Sequence, residues 1–176
     1  MNDEATREHA LQCFIDRLAG LRSELYEPSR RTQAAAWVRA EALALLPTLD
    51  GARKGRLVRL LYELHLIGWF DEATQQPAPP VVKLDGADLR DLQLPHANLG
   101  WVHLVACYLD RADFAGSYLG GANLGASDLP GANLAGANLT GANLYLCDLH
   151  EANLVGTELA EARVAEQQLA TAQLHQ

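Results

Sequence analysis

An apolar residue recurs at every fifth position over about half of the chain. The register runs from Leu84 to Val164 without a slip, which gives (164 − 84)/5 + 1 = 17 positions. A spacing of five fits neither the 3.6-residue period of an α-helix nor the two-residue period of a β-strand. Sustained self-similarity of this kind predicts a solenoid. The predicted core ladder is Leu84, Leu89, Leu94, Leu99, Leu104, Leu109, Phe114, Leu119, Leu124, Leu129, Leu134, Leu139, Leu144, Leu149, Leu154, Leu159 and Val164.

A small residue lies two positions before most of these apolar residues, often followed by Asn or Asp, as in GANLAGANLTGANLYLCDL. This Ala-(Asn/Asp)-Leu-x-x pattern resembles that of the pentapeptide repeat family. The resemblance implies a right-handed, four-sided parallel β-helix, in which each unit forms one side and four units form a coil. The Leu would fill the centre of the coil, and successive coils would pair through backbone hydrogen bonds at roughly 4.8 Å.

The part of the chain before the repeats has helical spacing. Apolar residues recur at helical intervals over about 3–26, 31–46 and 54–67, and Gly68 is the predicted C-cap of the third helix. The run LDGARKGRLVRLLYELHLIG, followed by PVVKLDGADL, resembles the segment that precedes the repeats in some bacterial members of the family. We therefore predict a helical module that shields the open lower end of the first coil, where strand edges would otherwise be exposed.

Changes of composition divide the chain. The segment DEATQQPAPP has the composition of a linker. The final stretch, EARVAEQQLATAQLHQ, favours a short capping helix, while the five-residue phase of Leu169 and Leu174 leaves a partial coil as the alternative. The predicted fold class is α+β. The predicted divisions are a three-helix module at 1–70, a linker at 71–80, a β-helix at 81–164 and a C-terminal cap at 165–176.

The negative charge of the chain lies in the repeats. The sequence has 14 Lys and Arg against 22 Asp and Glu, a net charge of −8. Residues 1–83 hold 11 of each sign, so the repeats and the C-terminal stretch carry the whole excess. A fold of 20 residues per coil places Asp88, Asp128 and Asp148 in one outward column, interrupted by Tyr108. The predicted acidic face consists of Asp88, Asp91, Asp110, Asp128, Asp148 and Glu151.

An acidic rod resembles the members of the family that bind DNA gyrase as mimics of duplex DNA. The repeats would form about 4 to 5 coils and a rod of roughly 20–23 Å. Duplex DNA of that length carries about 13 charges, which is denser than this rod. Acidity that serves only solubility is the other interpretation. Inhibition or protection of a type II topoisomerase is therefore the alternative function, not the first.

Outward apolar residues predict a second surface. Val105 and Tyr145 would share one column two coils apart, with Leu146 beside them, and Tyr108 and Trp101 lie in neighbouring columns. Scattered exposed apolar residues are ordinary, but a shared column favours a contact with a partner or with a second copy. We predict a non-catalytic protein–protein interaction scaffold with an unidentified protein partner, and a homodimer stays open.

The basic cluster Arg53, Lys54, Arg56 and Arg59 suggests nucleic-acid binding, but residues 1–83 are neutral overall. A solvated helix face, or one that meets an acidic partner, fits better, and no direct nucleic-acid binding is expected.

Chemical and membrane functions have no sequence signal. The six His residues show no metal-ligand spacing, and no Walker A or GxSxG motif occurs. We expect neither an enzyme nor a bound cofactor or metal. No apolar run reaches about 18 residues, and the charged N-terminus MNDEATREHA lacks an apolar signal region. The sequence therefore predicts a cytoplasmic protein without a membrane span.

Overall fold

Three α-helices precede the repeats in the computed structural model, which describes residues 2–174. α1 spans Asn2–Tyr26, α2 spans Arg31–Leu45, and α3 spans Gly51–Glu63, with a 3-10 turn at Leu46–Thr48 between the last two. Their apolar faces pack together. The last two residues of the predicted C-terminal cap, 175 and 176, lie outside the described residues. The buried side chains of this helical core include Leu11, Phe14, Leu18, Val38, Ala42, Leu57 and Leu61.

The third helix begins and ends earlier than the sequence predicted. Asp50 is its N-cap, because its carboxylate accepts a hydrogen bond from the backbone N–H of Arg53 at 2.9 Å. The helix ends at Glu63, so the prediction that Gly68 is its C-cap is wrong. Gly68 instead has a φ of +112°, and a Cβ there would lie 2.4 Å from the carbonyl oxygen of Trp101. Glycine is needed here for both reasons.

The segment predicted to be a linker over 71–80 is folded. β1 (Trp69–Asp71) and β2 (Gln76–Ala78) form an antiparallel hairpin, in which Trp69 pairs with Ala78. The ring of Phe70 lies 5.1 Å from that of Trp101, between centroids, so the hairpin packs against the first coils. The polar and proline-rich composition that predicts a linker carries no signal of this aromatic contact.

The repeats form a parallel β-helix. The bridges between coils join residues that are 20 apart, such as Asp88 with Tyr108 and Tyr108 with Asp128, and successive bridges are five residues apart. Each coil therefore contains 20/5 = 4 units. The ladder residues from Leu84 to Leu154 are buried, whereas Leu159 and Val164 in the last coil are only partly buried. The core thus runs along the axis and opens toward the C-terminal end.

Each unit ends in a tight corner. At one of them the Leu144 oxygen accepts a hydrogen bond from the N–H of Cys147 at 3.1 Å, and the third residue of the turn, Leu146, has a φ of 61°. A turn with a positive φ at this place favours Gly. Gly131, Gly136 and Gly141 supply it at other corners. The corner position is therefore costly for any side chain that the fold does not need there.

The Asn or Asp before the central Leu also has a structural task. The described chain has ten Asn or Asp residues at this position, and in nine of them Oδ1 accepts a hydrogen bond from the backbone N–H two residues later, at 2.9–3.4 Å. This contact stabilises the turn that follows. The nine are Asp88, Asn98, Asp113, Asn123, Asn133, Asn138, Asn143, Asp148 and Asn153.

The helical module closes the lower edge of the first coils. Three of its carbonyl oxygens, those of Gly51, Leu66 and Ile67, accept hydrogen bonds from coil N–H groups at 2.7–3.0 Å. The approach is close, because a Cβ on Gly51 would lie 1.9 Å from the Asp91 oxygen and one on Gly55 would lie 2.1 Å from the Gln93 oxygen. Satisfying these edge donors removes a site at which another strand could pair.

The C-terminal end combines both predicted alternatives. A short helix, α4 (Glu166–Leu169), interrupts the coil, and Gln173 then pairs with Asn153 in the 20-residue register. The side chain of Gln168 donates hydrogen bonds to the oxygens of Leu144 and Cys147, at 2.8 and 2.7 Å. Gln168 thereby satisfies two carbonyl groups at the upper end of the coil.

Candidate functional site

One corner of the β-helix carries a cluster of exposed apolar side chains in its upper coils. The same corner recurs in successive coils, and backbone hydrogen bonds join its levels. The Ala106 N–H donates to the Gly125 oxygen at 3.0 Å, and the Ala126 N–H donates to the Tyr145 oxygen at 2.8 Å. Tyr108 lies just past the corner on the next face. We call this surface the upper corner. It consists of Val105, Ala106, Tyr108, Gly125, Ala126, Tyr145 and Leu146, with Asp128 and Asp148 at its edge.

The side chains of the upper corner form two ridges around a trough. In the upper ridge Leu146 is 66% exposed and Tyr145 47%. The lower ridge consists of Val105 and Ala106, with Tyr108, 49% exposed, on the adjoining face, and the middle coil has Gly125 and Ala126 at this corner. The ridges are two coils apart, which is about 10 Å. A Cβ on Gly125 would lie 2.9 Å from Nδ2 of Asn143, so the packing of the coil keeps this part of the floor low. The trough is therefore shallow, with the exposed side chains of Tyr145 and Leu146 above it and the Asn143 amide beside Gly125.

A cation fixes the upper ridge. The guanidinium carbon of Arg163 lies 4.3 Å from the ring centroid of Tyr145. This cation–π contact orients the Tyr145 ring beside Leu146. It also engages the positive charge of Arg163, which lies on the side of the trough away from Asp128 and Asp148.

Two carboxylates form the acidic edge of the upper corner. Asp128 and Asp148 are bridged to each other in one column, and Tyr108 lies below them in the same column. Oδ1 of Asp148 accepts a hydrogen bond from the N–H of His150 at 2.9 Å, as the repeat requires. Asp128 makes no such contact, because the residue two positions later is Pro130, which has no N–H. Both carboxylates are exposed.

The lower end of the predicted acidic face is neutralised by the chain itself. Asp88 accepts hydrogen bonds from Nη2 and Nε of Arg90 at 2.6 and 3.0 Å, and Nζ of Lys54 lies 3.3 Å away. The Arg90 hydrogen bonds, with Lys54 beside them, hold the pKa of Asp88 well below its usual range. Asp91 pairs with Nε of Arg111 at 2.8 Å, and this contact lowers its pKa.

The other members of the acidic face lie apart from these pairs. Asp110 is half-buried, and its charge acts on Arg90 and Arg111. Oε1 of Glu151 lies 3.7 Å from Nε2 of His150. The six predicted carboxylates therefore do not form one uniform surface, and only the stretch around Asp128 and Asp148 combines free charge with exposed apolar groups.

Trp101 does not join the other predicted apolar residues. Its ring contacts Phe70 and covers Gly121, where a Cβ would lie 2.5 Å from the indole, so Trp101 serves the packing of the hairpin. Tyr118, which the sequence reasoning missed, is 46% exposed on a different face. Its signal was present, because Tyr118 precedes Leu119 as Tyr108 precedes Leu109.

The basic cluster of α3 has acidic partners within the module. Arg53 pairs with Glu8 at 2.9 Å and also with Asp50, and Nη1 of Arg56 lies 2.7 Å from Glu8. The hydrogen bond from Arg56 and those from Arg53 lower the pKa of Glu8. Most of the positive charge of the cluster is thus paired within the chain, which leaves little of it to attract nucleic acid.

Within residues 2–174 we find no group of three His, Cys, Asp or Glu side chains arranged to hold a metal ion. No helix in this part of the chain is long and apolar enough to cross a membrane.

A groove of about 670 Å³ between α1 and α2, lined by Phe14, Cys13 and Pro47 among others, lies away from the upper corner.

Comparison with known proteins agrees with the repeat geometry. The profile described as pentapeptide repeats matches residues 107–144 and 128–165, with eight copies. Residues 107–165 are pentapeptide repeats. Proteins of this family generally have structural or interaction roles and not enzymatic ones. No curated protein matches the chain.

Solved pentapeptide repeat proteins resemble parts of the chain. Rfr23 from the cyanobacterium Cyanothece 51142 is 26% identical, with 64% of this chain and 77% of that chain covered and a TM-score of 0.29. HetL from Nostoc sp. strain PCC 7120, a protein involved in the regulation of heterocyst differentiation, is 27% identical, with 52% and 51% covered and a TM-score of 0.29. The protein alr5209 from Nostoc PCC 7120 is 24% identical, with 53% and 84% covered and a TM-score of 0.28.

Proposed function

We propose that this chain is a protein–protein interaction scaffold that binds its partner through the upper corner. Leu146 carries the proposal, because this apolar side chain is 66% exposed at a corner with a φ of 61°. A left-handed conformation costs a side chain roughly 1–2 kcal/mol, and exposure returns nothing to the fold. Side chains occupy other corners of the repeat at positive φ as well, but among them Leu146 is the large apolar one that stays exposed, and a contact outside the chain is our explanation for it.

The neighbours of Leu146 support the same proposal. Tyr145 precedes it at the same corner, and Tyr108 is exposed two coils below on the next face; tyrosine is enriched among the residues that dominate binding energies. The backbone ladder between coils holds these residues in place before binding, so little conformational entropy is lost when a partner docks. The display surface is a side of the right-handed, four-sided solenoid that the family resemblance implies, with residues 1–70 as its lower cap.

The free thiols fit the cytoplasmic location that the sequence predicts. Cys107 and Cys147 are buried and unpaired, and burial raises their pKa values to about 12 and about 11. Unpaired cysteines are typical of a reducing compartment.

Affinity capture with matched variants tests the proposal. The baits are the wild-type chain, Leu146→Gly and Glu161→Gly, applied to a lysate of the cells that produce the protein. Glu161 is the control, because it lies at an equivalent corner with a φ of 60° but outside the upper corner. We expect a partner that the wild type and Glu161→Gly retain and Leu146→Gly loses. Equal capture by all three baits would contradict the proposal.

The alternative is mimicry of duplex DNA toward a type II topoisomerase such as DNA gyrase. The column formed by Asp128 and Asp148 favours it, whereas the pairing of Asp88 and Asp91 with cations of the chain weakens it. The test is supercoiling by purified gyrase in the presence of the wild type and of a variant with Asp88, Asp128 and Asp148 each replaced by Asn. Inhibition that disappears in the variant would replace the scaffold proposal with the mimic.

A further inference from the structure

Asp128 has no structural task in the repeat. Nine of the ten Asn or Asp residues at its position in the described chain bind a backbone N–H two residues later, and Asp128 meets Pro130 instead. No hydrogen bond or ion pair to its carboxylate is present within residues 2–174, where its side chain is exposed. The carboxylate is therefore available to a group outside the chain.

Its neighbour in the column makes this arrangement costly. Asn residues in equivalent columns link successive coils through their amides, as Nδ2 of Asn143 does with Oδ1 of Asn123 at 2.8 Å. Asp128 and Asp148 occupy bridged positions about 4.8 Å apart and cannot form such a link. Two negative charges placed opposite each other on paired strands repel. A cation from outside the chain would relieve the repulsion.

The trough lies directly beside these carboxylates. Ala126 forms its exposed floor, with Leu146 above it and Ala106 below it at the same corner, and Asp128 follows Ala126 by two residues. A side chain that fills the trough would bring its sequence neighbours next to the acidic edge. On the side of the trough opposite the two carboxylates, the guanidinium of Arg163 contacts the Tyr145 ring. One side of the trough is therefore negative and the other positive.

We infer that the partner of the upper corner presents an apolar side chain next to Lys or Arg, with the apolar group in the trough and the cation on Asp128 and Asp148. This inference rests on the proposed function and names the chemistry of the partner. A second copy docked by the same corner fits poorly, because a symmetric contact brings identical surfaces together and so confronts Asp128 and Asp148 with acidic edges.

Selection from a displayed library of random 12-residue peptides tests the inference with the full chain as target. Peptides that also bind Leu146→Gly are removed during the selection. We expect the remaining peptides to share an apolar residue adjacent to Lys or Arg. A synthetic peptide of that sequence should bind Asp128→Asn/Asp148→Asn on the order of tenfold more weakly, since the charge-assisted contacts are lost. Its affinity for the wild type should fall with added salt.

Asp113→Asn is the matched control. Asp113 occupies the same repeat position on another face, and Asn retains the oxygen that accepts hydrogen bonds from Ala115 and Asn133. We expect this variant to bind the peptide as the wild type does.

The outcomes separate the inference from the proposed function. Selected peptides that lack Lys and Arg, or an affinity unchanged in Asp128→Asn/Asp148→Asn, would overturn the inference and leave the proposed function in place. Failure of any Leu146-dependent peptide to emerge would count against both. Equal weakening in Asp113→Asn would overturn the inference as well, because it would reduce the effect to overall charge.

Discussion

Asp88 and Asp128 occupy the same position of the repeat on the same face, but their surroundings differ. Asp88 lies in the first coil, where its side chain is 16% exposed and contacts Arg90 and Lys54. Asp128 lies two coils higher, is exposed and has no partner in the described chain. The lower coils thus use their charges to hold the helical module, and the upper coils leave theirs available.

The same division holds for apolar groups. In the lower coils Trp101 contacts Phe70 of the hairpin, and the ladder residue Leu94 lies next to Gly55 of α3. In the upper coils Tyr145 and Leu146 remain exposed. A repeat that is nearly uniform in sequence therefore supports two different tasks, and the residues that depart from the repeat show which coil performs which.

The largest effect should come from separating the module from the first coils. In Gly55→Ala the new Cβ would lie 2.1 Å from the carbonyl oxygen of Gln93, so α3 must move away from the coil. We expect the free energy of unfolding to fall by more than about 3 kcal/mol, measured by chemical denaturation. Gly20→Ala in α1 is the control, with nothing within 4 Å, and should gain up to about 1 kcal/mol. Equal small changes would contradict the described contact.

The next effect compares the two aspartates directly. Asp88→Asn removes the charge that faces Lys54, whose side chain is only 6% exposed, and should cost about 2 kcal/mol of unfolding free energy. Asp128→Asn removes no contact and should change it by less than about 0.5 kcal/mol. Denaturant unfolding of both variants beside the wild type measures the difference. Similar losses would show that the two positions are equivalent after all.

Acid should act through the lower coils. The pKa of Asp88 is lowered in the folded chain, so its contribution to stability is present above the ordinary aspartate pKa of about 3.9 and is lost as the pH falls through the lower, folded pKa. We expect the Tm of the wild type to drop more between pH 6 and pH 3 than that of Asp88→Asn. An identical drop in both would indicate that other carboxylates govern acid unfolding.

The smallest effect concerns the corners of the upper coils. Leu146→Gly and Glu161→Gly both relieve a positive φ on a side chain and should each gain roughly 0.5–1 kcal/mol of unfolding free energy. A clear loss in Leu146→Gly would mean that Leu146 packs within the fold, and the exposed corner would then need another explanation. Thermal unfolding of both variants provides the comparison.

The sequence predicts the periodic part of this structure well because the repeat is local. The spacing of the ladder residues is enough to place Asp88, Tyr108, Asp128 and Asp148 in one column. What it misses depends on long-range contacts, such as the pairing of Lys54 with Asp88 and the tilted ring contact of Phe70 with Trp101. Pro130 can be read from the sequence, but its consequence for Asp128 follows only from the backbone hydrogen bond that the other Asn and Asp residues accept.

Crosslinking from position 146 would show whether the upper corner is the surface that binds a partner. A photoreactive phenylalanine analogue would replace Leu146 in one sample and Glu161 in another, and irradiation of living cells would join each to whatever lies within a few ångströms. We expect a discrete crosslinked partner from position 146 and none from position 161. The same adduct from both positions, or from position 161 alone, would contradict the assignment of the upper corner as the binding surface.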